Sequence, residues 1–511
     1  MSERAGPLAA FAGLVAFGFA GLLLATAFRP GVGLYGLPFT EDGFYALTIA
    51  RNIAAGRGIT IDGEVWTNGF QPLFTFLEAA CFLVARGDEA IAGRMIVVLC
   101  WFAHVVGALL AGGVALDARP DADGRLVRAF LAVALYLAAA KFFADFYTGL
   151  ETGLQLVMIL ALWRAVQRGA IDSVAGCFGL GVLIGLAVVT RIDVGILAAV
   201  LAGWALLRGW GEVGLAAVLR PLVMALAASA ISSPWWLYNK LVFDNWVPSS
   251  GAAQQSWAFD IDRILEGLWA LRVVLVPWIF AWDAEALATD LARSAMLALA
   301  LALFLFMPAG SRRAMATAVA QRTAGFGWAL VIAMAALAVF YIGSFFAYWF
   351  YFRYFAPLSL LAVVGVAVIA ADFATRGALG SLAVAAALVI VAVAGGVMPW
   401  RAVQGLLGPS THYPMVELVE RSVPAGEVVA AGQSGTLGFF RSRVVNVDGK
   451  VNRDALDYQD RMWVYLEQRN IRWFVDSPWY VERMLGTDPA KHGWSLVAVA
   501  GAGDFRLYRK D

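Results

Sequence analysis

Two adjacent acids, Glu41 and Asp42, open a polar run from Thr40 to Pro72 in a chain that is otherwise strongly apolar. The run (TEDGFYALTIARNIAAGRGITIDGEVWTNGFQP) also holds Arg51, Arg57, five glycines and the turn Thr67-Asn68-Gly69, with Gln71 close behind. Carboxylates beside an apolar medium are costly and are kept where they are paired or functional. A carboxylate of this kind can take the proton from a hydroxyl. Four further polar stretches interrupt the apolar chain. KFFADFYTGLE carries Asp145 and Glu151, TRID carries Arg191 and Asp193, NKLVFDNWVPSSGAAQQ carries Lys240, and WFYFRYFAP carries Arg353. The planar fork of arginine suits a phosphate, because it donates bidentately. Each residue also has a plainer reading. Thr40 or Asp42 can be a helix N-cap, Asp145, Glu151 and Arg353 can be interfacial charges reaching to water, and Arg191 can pair with Asp193. A cap accounts for one acid, not for two in a row. Acids and cations gathered at one membrane surface suit transfer chemistry on a lipid-linked phosphate. A carboxylate activates the acceptor, cations stabilise the leaving phosphate, and apolar walls hold the lipid chain.

The elements that must position these residues are membrane helices. The chain has 511 residues, 61% of them apolar and 15% charged, with a mean hydropathy of +0.74. That composition belongs to a polytopic membrane protein, not to a soluble core. A net charge of +1 carries no nucleic-acid signature. Cys81, Cys100 and Cys177 lie in apolar runs, so no disulfide framework is implied. The three histidines are far apart, which argues against a histidine metal site. A span needs about 20 apolar residues. Leu8–Ala27 reads as a retained first helix. Further spans are expected at Ile91–Leu116, Val127–Phe146, Leu150–Ala165, Ser173–Val189, Val194–Leu207, Pro221–Tyr238, Glu285–Met307, Phe326–Phe346, Phe355–Ala371 and Ala378–Met398. That makes about 11 transmembrane helices.

Arginine-rich short loops stay cytoplasmic. Placing Arg119–Arg128, Arg164–Arg168 and Arg312–Arg322 inside puts Thr40–Pro72 and the other four polar stretches outside. Leu73–Ala85, with Glu78, is too short to cross and is expected to lie on the surface, after a short surface helix over Phe44–Ala54. Leu265–Ala281 is read as a second outer-surface helix. The stretch from 28 to 90 then becomes a single outer loop on a membrane domain of residues 1–398.

From about Pro399 charged residues become much denser. Val428–Ala431, Val444–Val447, Ile471–Val475, Ser495–Val499 and Phe505–Tyr508 read as strands, with helices over Asp454–Asn470 and Tyr480–Leu485. Residues 399–511 are expected to form a small extracytoplasmic α/β domain. Its Gly432–Gly438 stretch (GQSGTLG) reads as a strand-to-helix turn without the Gly-x-Gly-x-x-Gly spacing of a nucleotide site.

The membrane part resembles the GT-C class of integral-membrane glycosyltransferases. The resemblance rests on Glu41-Asp42 soon after the first helix, the run Ala50-Arg51-Asn52-Ile53-Ala54-Ala55-Gly56-Arg57-Gly58, the turn Thr67-Asn68-Gly69-Phe70-Gln71-Pro72-Leu73, the second-loop acid Asp145, and Arg353-Tyr354-Phe355-Ala356-Pro357. The first loop is most similar to that of cell-wall arabinofuranosyltransferases. Aminoarabinose transferases and protein mannosyltransferases share the outline. The resemblance implies sugar transfer from a polyprenyl-phosphate donor to a glycan, lipid or protein acceptor outside the cytoplasm, in a bacterial inner membrane. The first-loop acid of the class implies Asp42 as catalytic base, with Glu41 beside it and Asp145 assisting. Arg191, Arg353, Lys240 and Arg51 are the expected donor-phosphate ligands, and Asn68, Gln71, Glu151 and Asp193 the expected sugar or acceptor contacts. The class allows a divalent metal, Mg or Mn, as cofactor, although the first loop has no Asp-x-Asp. Two other readings compete. A transporter or flippase would place its charges near the midplane, whereas these cluster at one face. A scaffold whose outer domain does the work would not need so many helices.

Overall fold

The computed structural model describes residues 6–29, 33–118, 124–209, 215–258, 260–280, 291, 293–296, 324–405, 411–501 and 504–511. The expected span Glu285–Met307 and the arginine loop Arg312–Arg322 fall almost wholly or wholly outside them. The chain begins with α1 (Gly6–Ala25), α2 (Glu41–Ala54), α3 (Pro72–Val84) and α4 (Glu89–Asp117). α5 (Arg125–Leu137), α6 (Ala140–Tyr147), α7 (Thr152–Gln167), α8 (Val174–Thr190) and α9 (Val194–Gly209) follow. Then come α10 (Leu215–Phe243), α11 (Ser249–Ala253), α12 (Ile261–Leu275), α13 (Ala324–Ser344), α14 (Tyr351–Tyr354), α15 (Leu358–Ala374) and α16 (Ala378–Gln404).

Among the described residues five helices are long and apolar enough to cross a membrane, or seven if two bent pairs each count as one span; four apolar helices are shorter. The expected span Val127–Phe146 is one of the bent pairs, turning by 62° between α5 and α6. Its break has identifiable partners. Ala139 is extended, the Lys141 amide donates instead to the Pro277 carbonyl at 2.9 Å, and the backbone of Gly395 on α16 packs so tightly on the Ala138 carbonyl that no side chain would fit. Small residues also seat α8 on α10. A Cβ on Gly181 or Gly185 would strike the α10 backbone or Ile231, the close approach that small-x-x-x-small spacing allows between membrane helices.

The charged residues sort to the two ends of the bundle. At one end, where α4, α7 and α15 finish and α5 begins, Arg164 and Arg168 pair with Asp117, and Arg128 pairs with Asp372. At the other end lie Glu151, Arg353 and the start of α4. α2 is at that end too, but it is not a helix lying open on a surface. Residues 43–50 are buried all round, because a second domain covers them. α3 does have two faces. Phe74, Thr75, Glu78, Ala79 and Phe82 are buried, while Leu83 and Val84 are 59% and 69% exposed.

The second domain follows α16. It comprises α17 (Tyr413–Ser422), β1 (Val429–Ala431), α18 (Gly435–Phe440), β2 (Val444–Asn446), α19 (Met462–Gln468), β3 (Trp473–Asp476), α20 (Pro478–Leu485), β4 (Trp494–Ala500) and β5 (Phe505–Lys510). All five expected strands are present, in the order β2-β1-β3-β5-β4. β2, β1 and β3 are parallel, and β5 and β4 join antiparallel. The expected helix over Asp454–Asn470 is split into a 3-10 turn, Arg453–Tyr458, and α19.

Candidate active site

Helix α2 is started by Thr40, whose hydroxyl accepts from the Gly43 amide at 3.3 Å. Thr40 is therefore the cap. Glu41 and Asp42 follow in the first turn and Arg51 sits in the last, each sign where the helix dipole favours it. The two acids then diverge. Glu41 turns to the second domain, where it accepts from the backbone amides of Gly435 and Thr436 and from the Thr436 hydroxyl. Tyr45, one turn on, donates to the Gly432 carbonyl and accepts from the Ser434 amide, both at 3.0 Å. The Gly432–Gly438 turn is thus held by α2, and Asp476 shapes it by accepting from the Gly432 and Gln433 amides. Asp42 turns the other way, into an open cleft of about 970 Å³, surrounding solvent included.

In this cleft Asp42 meets Lys450 of the second domain at 3.4 Å. Burial would push the Asp42 carboxyl up, but Lys450 and then Arg353 hold it below the ordinary carboxylate value. Lys450 shows the converse. Burial would lower its ammonium, and Asp42 foremost among its neighbours raises it well above the usual range. Asp448, 3.5 Å from the same ammonium, is raised by burial. The ion pair is therefore fixed as carboxylate and ammonium.

Opposite lies a second charged group, assembled from the start of α7, the end of α8, and α14. Glu151 Oε1 accepts from both Arg191 and Arg353 at 2.8 Å. Arg353 also donates to the Thr152 hydroxyl at 2.9 Å. Arg191 wraps the Asp193 carboxylate, its shortest contact being 2.7 Å. Asp193 further accepts from Gln155 and from the Tyr341 hydroxyl. Tyr341 stacks on Tyr354 at 4.1 Å, and Tyr354 donates to Gln254. Gln71 and Phe70 complete the wall beside Asp42.

Of the residues singled out in the sequence, the structure therefore brings Asp42, Gln71, Glu151, Arg191, Asp193 and Arg353 to one cleft. It places the others elsewhere. Asp145 is locked with Lys141 at 2.6 Å in a pair with almost no exposure; the two are one helical turn apart on α6, and neither lines the cleft. Arg51 pairs with Glu89 at 2.6 Å and donates to the Phe439 carbonyl. Lys240 pairs with Asp244 at an exposed site. Asn68 is a buried strut. It donates to Asn239 at 2.7 Å and accepts from the Ser249 amide, while the Ser249 hydroxyl donates to the Lys450 carbonyl. Gly69 lies so close to that carbonyl that a Cβ would overlap it. The Thr67-Asn68-Gly69 turn thus positions Lys450.

Lys450 itself was not legible as a site residue. The one signal is scarcity, since the chain has five lysines among its 38 basic residues. Tyr354 reads in sequence as an interfacial belt aromatic, yet it stacks inside the cleft. No three His, Cys, Asp or Glu residues come together as a metal site among the described residues. The group facing Asp42 is an ammonium, which does not suit a cation ligand set.

Taken together, the chain is a helical bundle with a charged cleft at one end, roofed by a small α/β domain. The chain has the fold of ArnT from Cupriavidus metallidurans, solved bound to undecaprenyl phosphate, with a TM-score of 0.56 over 97% of each chain at 13% identity. It is similar as well to the Archaeoglobus fulgidus oligosaccharyltransferase in its apo form, with a TM-score of 0.55 over all of this chain and 75% of that one at 12% identity. Residues 401–509 match the model of a domain of unknown function, DUF8728. No curated protein sequence matches significantly.

Proposed function

We propose that the protein is an integral-membrane glycosyltransferase that moves a sugar from a polyprenyl-phosphate donor to a hydroxyl of an acceptor outside the cytoplasm. One observation carries this reading. An ionised carboxylate, Asp42, faces two arginines that converge on a single carboxylate oxygen, in a chain with the fold of ArnT along nearly its whole length.

Asp42 takes the proton of the acceptor hydroxyl as that oxygen attacks the anomeric carbon. The bond from that carbon to the phosphate oxygen breaks, and polyprenyl phosphate departs with the electron pair. Arg191 and Arg353 are the donor-phosphate ligands. A phosphate entering the cleft replaces Glu151 as their shared anion, and fixed cations at a developing negative charge lower the barrier. Lys450 keeps Asp42 ionised and adds a third cation. Gln71, Glu151 and Asp193, which line the same cleft, orient the sugar or acceptor. Residues 399–511 form the extracytoplasmic domain, the N-terminus is cytoplasmic, and the arginine-rich end of the bundle faces the cytoplasm of a bacterial inner membrane. An arabinofuranosyl donor is the first to try, on the strength of the first-loop resemblance.

The test is incubation of the purified protein with a panel of polyprenyl-phosphate pentoses and hexoses, with and without Mg or Mn, scoring release of polyprenyl phosphate and labelled product. Turnover of one donor supports the reading. Vesicles in which a lipid-linked sugar crosses the bilayer with no transfer by the wild type would overturn it.

A further inference from the structure

On the far side of α2 from Asp42 lies a second and larger cleft of about 1460 Å³, surrounding solvent included, between the α3–α4 turn and the α18–β2 segment of the second domain. Its charge is one-sided. Arg51, Arg57, Arg86, Arg441 and Arg443 line it, against two acids, Asp62 and Glu89. Glu89 is taken by Arg51, and Arg441 pairs with Glu420 outside the cleft at 3.0 Å. Asp62 is already in use as a turn acceptor for the Glu64 and Val65 amides. Among the described residues Arg57 and Arg86 make no ion pair, and Arg443 has only the Gly426 carbonyl. Two buried guanidinium nitrogens, Nε of Arg51 and Nε of Arg441, have no hydrogen-bond acceptor, and Arg441 as a whole is 6% exposed. Arg57, Arg86 and Arg443, left in excess over the acids of the cleft, call for an anion with several acceptor oxygens.

The rim decides which anion. Leu83 lines the cleft at the end of α3; it, its neighbour Val84, and Ile91 in the first turn of α4 are all more than half exposed. α4 is long and apolar enough to span, so its first turn marks the boundary of the apolar layer. Arg86 stands in the turn between these exposed apolar side chains, and Phe82, Phe439 and Phe440 line the cleft behind it. A soluble anion would use the arginines and leave the apolar rim bare. An amphiphile would use both. Basic pockets at the end of a membrane helix hold phosphate headgroups by this division of labour.

We infer that this arginine cleft is a binding site for the phosphate headgroup of an anionic phospholipid, seated where the second domain meets the membrane surface. It shares no lining residue with the Asp42 cleft and does not depend on the transfer reaction. A lipid bound here touches α2, the α3–α4 turn and the α18–β2 segment together, and so ties the second domain to the bilayer.

The experiment is native mass spectrometry of the full chain in detergent, titrated with dioleoylphosphatidylglycerol or dioleoylphosphatidylcholine, with inorganic phosphate as a third arm. The wild type is expected to retain the anionic lipid preferentially. R57A/R86A/R443A should lose that preference by a factor on the order of a hundred, because each surface arginine contributes roughly fivefold towards an anionic lipid. R57K/R86K/R443K, which keeps the charge, should retain part of it. Equal retention of the two lipids by the wild type, or an undiminished preference in the folded alanine variant, overturns the inference. Saturable binding of inorganic phosphate without binding of the anionic lipid overturns it as well. If the alanine variant does not fold, the wild-type preference and the lysine variant still decide.

Discussion

The first loop, Thr40–Pro72, and the segment from Gly432 to Val451 of the second domain are similar in kind. Both are short, polar and rich in glycine, and each contributes one charged residue to the Asp42 cleft. They differ in what surrounds them in sequence. The first is polar within an apolar helical body, where every charge asks for a reason. The second lies in an ordinary soluble fold, where a lysine asks for none. Yet the two interlock through Glu41 with Gly435 and Thr436, Tyr45 with Gly432 and Ser434, and Asp42 with Lys450. Conspicuousness in sequence therefore measures contrast with the neighbours along the chain. It does not measure contribution to a site.

Asp42→Asn is expected to lower turnover of the accepted donor by about 10²–10⁴-fold, the usual contribution of a general base, while the folded variant still binds the donor. Unchanged turnover would remove Asp42 from the chemistry and leave it as the structural partner of Lys450.

Lys450→Met removes the main influence that holds Asp42 below the ordinary carboxylate value of about 4. In the wild type, transfer should survive acidification until the pH falls below that value. In the variant Asp42 is protonated at higher pH, so the acid limb of the rate profile moves up, with a tenfold or greater loss of activity at its foot. A limb that stays in place would show that Lys450 does not act through Asp42. The same sign governs stability. A depressed Asp42 stabilises the fold above the unfolded carboxylate pKa and loses that contribution as pH falls through its own.

The latch between the two regions comes next in size. Glu41→Gln leaves the amides of Gly435 and Thr436 with a neutral acceptor, and the fold should lose about 1–3 kcal/mol. The readout is limited proteolysis, with the second domain released earlier than in the wild type. The smallest effect is expected from Lys240→Ala. Its partner Asp244 is fully exposed, and the pair stands apart from the cleft, so donor KM and turnover should not change. A raised KM would return Lys240 to the phosphate site.

Much of this was legible in the chain itself. The composition set a helical membrane body, the change in charge density marked the second domain, and short β-rich runs located all five of its strands. Contrast with the surroundings picked out Asp42, Glu151, Arg191, Asp193 and Arg353. These features are local, and periodicity and burial cost act over a few neighbouring residues. The sequence did not separate the cleft residues from Asp145, Asn68, Arg51 and Lys240, because partners decide that and partners lie far along the chain. Asp145 is neutralised within one helical turn, whereas Asp42 waits for a lysine 408 positions away. Likewise Val127–Phe146 has the composition of one straight span, and only the packing of Gly395 and Pro277 against its middle bends it. Residue chemistry fixed which groups were available. The tertiary structure chose between pairing and reactivity, because an ionised side chain buried in an apolar body is governed by whichever opposite charge the fold brings within a few ångströms.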